Sequence, residues 1–190
     1  MKAWMRYLVC GVVGLAVGGG GAMWSVRAGA LGATEMIGPW GTGRNYGTQQ
    51  ASAYTRAIVA LYGLLALPPR EARYYNAGTD DQGRPLDGRC RYRVAGGTLP
   101  AKWWSLTLYD AKGYLVANPD DLYSVGSVGL PPPEQAGWTV MVSRTRQAGH
   151  WLPTGGEQKF TLTLRTYLPI DGGKGNLTPD QLPHISREGC

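Results

Sequence analysis

The stretch "PAKWWSLTLYDAKGYLVANP", residues 100–119, decides the fold of this chain. Its first half alternates. Trp104, Leu106 and Leu108 share one side, and Trp103, Ser105, Thr107 and Tyr109 share the other. A period of two with one apolar side is the pattern of a half-buried strand. Asp110 to Gly113 then supply turn residues, and Asn118-Pro119 a second break. The pattern assigns Trp104 to a core and turns Trp103 away from it. Trp103 then has two destinations: it lies under a neighbouring element, or it floors a binding surface.

The same period recurs on both sides of this strand. In "RCRYRV" the apolar set is Cys90, Tyr92 and Val94, with Arg89, Arg91 and Arg93 opposite. "WTVMVS" places Trp138, Val140 and Val142 on one face. "KFTLTLRTY" places Phe160, Leu162 and Leu164 inward and Thr161, Thr163 and Arg165 outward. Short apolar pieces at 114–116 and 122–125 suit edge strands. Turn signals separate these runs at Gly83-Arg84-Pro85, Gly96-Gly97, Pro131 to Pro133 and Gly155-Gly156. Many short alternating strands argue for a mainly β domain, an antiparallel sandwich or jelly roll. No internal repeat is present.

Helices belong to the N-terminal part. Ser52 is placed to cap a helix whose Tyr54, Ile58, Leu61, Tyr62 and Leu65 fall on one face, and Leu67-Pro68-Pro69 stops it. A second helical turn is expected over Pro69 to Tyr75. Residues 29–50 read as an irregular linker, and the β domain with its helical lead-in is expected over 51–187.

At the N-terminus, Lys2 and Arg6 precede an uncharged run from Tyr7 to Val26. About twenty residues span ~30 Å as a helix, roughly the hydrocarbon thickness of a bilayer. Trp4, Tyr7 and Trp24 stand near the ends, where amphipathic rings favour the interface. Ala28-Gly29-Ala30 would serve as a cleavage site, but the run is longer than the apolar region of a signal peptide. Residues 1–28 are therefore expected to be an uncleaved single-pass anchor in the inner membrane, with the C-terminal domain periplasmic. Gly14 and Gly18 have a helix-packing spacing, which is weak evidence in a glycine-rich segment.

The formal charge is +6 over 190 residues, with arginines crowded between 44 and 93. A basic balance suits an anionic partner such as lipid headgroups. No basic run interleaved with aromatics resembles a nucleic-acid module, so no nucleic acid is expected. Cys90 and Cys190 pair only if the tail folds back, which the sequence leaves open. No cysteine pair has metal-ligand spacing, and no cofactor is expected.

The chain carries Leu86-Asp87-Gly88, Leu99-Pro100, Trp104 to Asp110, Asn118-Pro119, Trp151-Leu152-Pro153 and Arg165-Tyr167-Pro169 in that order. Taken together, these motifs resemble the DUF1214 family, a domain found in bacterial envelope proteins. The likeness extends over about residues 38–187 and includes the helical lead-in. It implies a β-sandwich core and a cell-envelope address, and it implies no reaction. Where the family carries Asn before its Trp-Leu-Pro, this chain has His150. That exchange suits a side chain that hydrogen-bonds backbone or ligand better than an obligatory general base.

The candidate chemistry is sparse. His150 and His184 are the two histidines, and His184 sits in the tail "QLPHIS", expected to pack along the surface. There is no G-x-S-x-G elbow. Cys90 belongs to a core face. Asp80, Asp81 and Asp87 surround a glycine turn, where carboxylates bond backbone N–H groups more often than they bind calcium. Catalytic residues are not legible. The ligand-binding candidates are Trp103, Tyr109, Asp110, Asn118, His150, Trp151, Arg165 and Tyr167. An alternative for Arg165 is a buried pair with Asp87 or Asp110.

These readings converge on a membrane-anchored binding or accessory module contacting an envelope protein, lipid or glycan. The alternatives are a hydrolase or lyase acting on envelope carbohydrate, and a structural subunit of an envelope assembly. Binding predicts an aromatic groove. Catalysis predicts two convergent carboxylates, or His150 within reach of one. Assembly predicts an exposed flat apolar patch.

Overall fold

A computed structural model describes residues 2–27, 34–43, 45–61 and 66–190. The alternative cleavage site at 28–30 and the helix-face residues Tyr62 and Leu65 lie outside the described residues. The quoted stretch forms β5 (Ala101–Asp110), and it pairs along its length with β9 (Phe160–Pro169). Leu106 faces Leu164 and Leu108 faces Leu162, so the apolar sides of both strands coincide. Register is strict here because a slip of one residue would turn both sets to the wrong face.

Around this pair grows a six-stranded sheet in the order β1-β2-β3-β9-β5-β6. Its other members are β1 (Thr34–Ile37), β2 (Trp40–Gly43), β3 (Ala72–Ala77) and β6 (Ser124–Gly126). A second, four-stranded sheet has the order β10-β4-β7-β8. It comprises β4 (Arg91–Gly97), β7 (Gly137–Ser143), β8 (His150–Pro153) and β10 (His184–Gly189). The inner faces of both sheets share one core, in which Trp104 stacks on Trp138 at 4.3 Å and Tyr92 meets Phe160 edge-on at 5.8 Å. The expected inward sets of β4, β5, β7 and β9 are all in that core.

Four features depart from the sequence reading. Pro69 to Tyr75 is not helical. Pro68 accepts N–H bonds from Glu71 and Ala72, and the chain then enters β3, where Tyr75 and Ala77 alternate into the core beside β9. The segment 29–50 is not wholly irregular, since β1 and β2 form a hairpin with Gly38 at φ 60 in its turn. The C-terminal tail does not merely cover the surface. It forms β10 against β4, buries Ile185 completely and brings Cys190 to Cys90, with which it forms a disulfide. Trp40 donates its indole N–H to Pro183 O (2.7 Å), tying β2 to the start of that tail. Finally, β7 and β8 are parallel in an otherwise antiparallel architecture. The loop 144–149 has only to return from Ser143 to the level of Val140, so this short pair needs no crossover helix.

Among the described residues, two helices precede the sandwich strands from β3 onward. α1 (Ala3–Arg27) is long and apolar enough to cross a membrane. α2 (Ala53–Leu61) is capped as expected by Ser52, whose Oγ accepts the Thr55 N–H at 3.1 Å. Tyr54 of α2 donates its hydroxyl to Ser25 O of α1.

The acidic residues near Gly83 serve the turn. Asp80 is buried and accepts from Gln82 N, Arg84 N and Arg84 Nε at 2.8–3.0 Å. Burial opposes its ionisation, but the Arg84 and Gln82 bonds outweigh burial and hold its pKa below the ordinary value. Asp87 is held at about 2 by the Arg89 guanidinium and then by the Arg89 N–H. A depressed folded-state pKa adds stability that is full above the unfolded value of about 3.9 and is lost as pH falls through the folded value. Tryptophan-fluorescence unfolding should therefore show stability falling between about pH 4 and pH 2. Asp80→Asn should lower stability at pH 7 and flatten that slope; an unchanged slope would contradict the assignment.

Candidate functional site: a groove on the outer face of the six-stranded sheet

The outward residues of β3, β9 and β5 form a polar, aromatic ladder on the face away from the core. Across strands, Tyr74 lies opposite Arg165, Arg165 opposite Ser105, Asn76 opposite Thr163, and Thr163 opposite Thr107. Trp103 lies opposite Tyr167, and their rings stack at 3.7 Å with planes 5° apart. This face floors a groove of about 990 Å³. Its walls come from Met36 and Pro39 of the first hairpin, Ile58 of α2, Leu67, and Val26 and Arg27 at the end of α1. The volume is at the upper end of ordinary ligand pockets.

Arg165 occupies the middle of the floor. It donates from Nη2 to Tyr109 Oη (2.7 Å) and from Nη1 to Thr107 Oγ1 (3.2 Å), and its guanidinium lies 5.3 Å from the Tyr109 ring centre. These partners are neutral. The expected alternative of a pair with Asp87 or Asp110 is not what forms, because Asp87 binds Arg89 and the Asp110 Oδ1 accepts the N–H groups of Lys112 and Tyr114. Asp110 lies at one end of the groove as the cap of its own turn. Tyr167 lines the groove beside Arg165. Burial raises its pKa, and the lowering effects of Arg165 and the Ser105 hydroxyl do not cancel that rise.

Of the eight sequence candidates, Tyr109, Asp110, Arg165 and Tyr167 thus come together in the groove. Trp103 touches it only through its stack on Tyr167. It is 39% exposed rather than covered by α2, and it borders a second hollow of about 390 Å³ together with Ser105, Ser124, Val128 and His150. His150 Nε2 is 2.7 Å from Glu134 Oε2, so a histidine–carboxylate pair stands at that second hollow. Asn118 is committed to its own loop: its amide N–H groups go to Val116 O and Leu122 O, and its carbonyl accepts from Leu122 N. Trp151 is buried and donates its indole N–H to Ser143. Neither of these two lines the groove.

Sequence reasoning missed Tyr74, Asn76, Met36 and Ile58 as groove residues. Ile58 was legible as part of an apolar helical stripe, but not what that stripe covers. Tyr74 and Asn76 would have required recognition of β3. Thr163 was legible as outward-facing on β9.

Residues 71–171 match the family described as a protein of unknown function (DUF1214). The chain belongs to the DUF1214 family. All groove residues from Arg165 back to Tyr74 fall within the matched DUF1214 segment, whereas the hairpin and helix walls precede it. Among solved structures, the chain is similar to the VPA0106 protein from Vibrio parahaemolyticus, with a TM-score of 0.56 and 23% identity over 70% of this chain. The matched part is 34% of the Vibrio protein, so this chain spans about a third of that relative. The likeness is one of fold. An uncharacterized protein from Burkholderia cenocepacia matches over 63% of this chain and 29% of its own length, with 19% identity and a TM-score of 0.45. No curated protein matches the chain.

Proposed function

We propose that this DUF1214 protein is a membrane-anchored binding or accessory module of the cell envelope, with the sheet groove as its ligand site. The observation that carries the reading is the groove itself. It joins an aromatic and hydroxyl-rich floor, a cation without a carboxylate partner among the described residues, and apolar walls. Such a surface recognises a partner through contact area and one ionic bond.

Two features support a single-pass inner-membrane anchor and a periplasmic domain. Lys2 and Arg6 precede α1, and positive charge favours the cytoplasmic side. The Cys90–Cys190 disulfide suits an oxidising compartment. The full chain should stay with membranes through a carbonate wash, and a chain lacking residues 2–27 should be released as a folded soluble domain. Release of the full chain would contradict the anchor.

The binding reading is tested by plugging the groove. Asn76 is an exposed residue on its floor, so Asn76→Trp fills space without disturbing the core. Protein, lipid and glycan recovered with the full chain in mild detergent should include a stoichiometric species that Asn76→Trp loses at unchanged thermal stability. Identical recovery with both chains would remove the groove from the function.

A second reading is favoured by one observation. The His150–Glu134 pair at the smaller hollow meets the geometric requirement for general acid–base work. It supports a hydrolase or lyase acting on envelope carbohydrate. Turnover of envelope glycan that is abolished by His150→Asn and untouched by Asn76→Trp would favour that reading.

A further inference from the structure

We propose that the groove binds an anionic amphiphile, an acyl chain ending in a carboxylate or phosphate, with the head on Arg165 and the chain along the apolar wall. The inference rests on the reading of the groove as a ligand site and adds the chemical class of its occupant. Three observations carry it. Arg165 is half-buried, and its hydrogen bonds go to two neutral hydroxyls. A partly desolvated guanidinium is ordinarily matched by an anion, and its planar fork suits the two oxygens of a carboxylate or phosphate. The carboxylate in the groove lining, Asp110, has Oδ1 engaged by two backbone N–H groups.

The walls above this cation are hydrocarbon. Met36, Pro39, Ile58 and Leu67 face the same cavity. A free inorganic anion or a sugar would gain nothing from them, whereas an acyl chain gains free energy with each methylene it removes from water. The third observation is position. Val26 and Arg27, the last residues of α1, line the groove, so a membrane-spanning α1 sets the groove mouth at the bilayer surface. Arg27 adds a second cation there. An anionic amphiphile could pass from the leaflet into the groove without its chain crossing open water.

The test uses the full chain in dodecyl maltoside with three photoreactive probes: diazirine-bearing palmitate, the matching lysophosphatidate and the matching neutral monoacylglycerol. Labelled peptides are mapped by mass spectrometry. The two anionic probes should label β3 and β9 at least tenfold more than the neutral one. Arg165→Gln should abolish that excess while labelling of α1, which any micellar lipid touches, stays constant. Arg165→Lys should retain part of it. Preference for lysophosphatidate over palmitate would assign the head as phosphate, and the reverse as carboxylate; both support the class. Equal labelling by the neutral probe, or no effect of Arg165→Gln, would overturn the anionic head. Complete displacement by millimolar inorganic phosphate would overturn the acyl part. If Arg165→Gln does not fold, Arg165→Lys and displacement by unlabelled palmitate decide the question. No groove labelling by any probe, beside a ligand still lost in Asn76→Trp, would overturn this inference and leave the groove as a binding site for something else.

Discussion

Breaking the Cys90–Cys190 bond should lower the unfolding free energy by about 2–4 kcal/mol, one of the two largest single-site effects expected in this protein. The two cysteines are 100 residues apart, so the bond closes most of the β domain into one loop. A cross-link acts chiefly by restricting the unfolded chain, and the restriction grows with the logarithm of loop length. Here it also holds a short element. Among the described residues β10 pairs only with β4, and its register shifts at Arg187–Gly189, so its last residues rely on the covalent tie. Urea unfolding of the full chain with and without reductant should move the midpoint down at nearly constant slope. Cys190→Ser should reproduce the shift. An unchanged midpoint would mean that the bond does not form in the folded protein.

Trp138→Ala should cost about 3–5 kcal/mol, the usual range for removing a buried tryptophan. Trp138 is 2% exposed and stacks on Trp104 across the sandwich. Its indole N–H donates to Gly97 O at 2.9 Å. It also lies so close to Gly96 that a Cβ there would sit 2.6 Å from its Cζ2. The ring is thus held from three sides, and truncation leaves a cavity that the rigid strands cannot close. Trp103→Ala should behave differently. Its loss removes one stack on Tyr167, worth about 0.5–1.5 kcal/mol beyond the area buried, and leaves no core cavity. Thermal or urea unfolding of the two variants checks the contrast. Similar losses for both would mean that the adjacent tryptophans do not divide between core and surface.

The inward faces were legible because the side-chain period of a strand is a local property. The alternation in 103–109 placed Trp104 inside and Trp103 outside, and the structure agrees at 3% and 39% exposure. Arg165 and Tyr109 were likewise assigned to one outward surface from period alone, and they hydrogen-bond there. The misreadings share a cause. Pro69 to Tyr75 looked helical after two prolines, but β3 exists because β9 offers a free edge, and a sequence does not display its neighbour. The hairpin of β1 and β2 was hidden by glycines that disfavour strands in isolation. The tail resembled a surface segment until β4 gave it a partner. Asn118 and Trp151 have local partners that the sequence does not display: the Asn118 amide bonds within its own loop, and the Trp151 indole on β8 donates to Ser143 of β7.

The sequence by itself determined which residues face the core, the length and polarity of the N-terminal helix, and the membership of the DUF1214 family. These depend on periodicity, composition and short motifs, all of which act over a few residues. Only the tertiary structure decided that the tail completes the second sheet and meets Cys90, that the apolar walls come from the first hairpin and α2, and that Arg165 stands among hydroxyls rather than beside a carboxylate. Those outcomes depend on which strand edges and helix stripes meet across the chain. That choice is made by the burial of the whole core and is not written in any one segment.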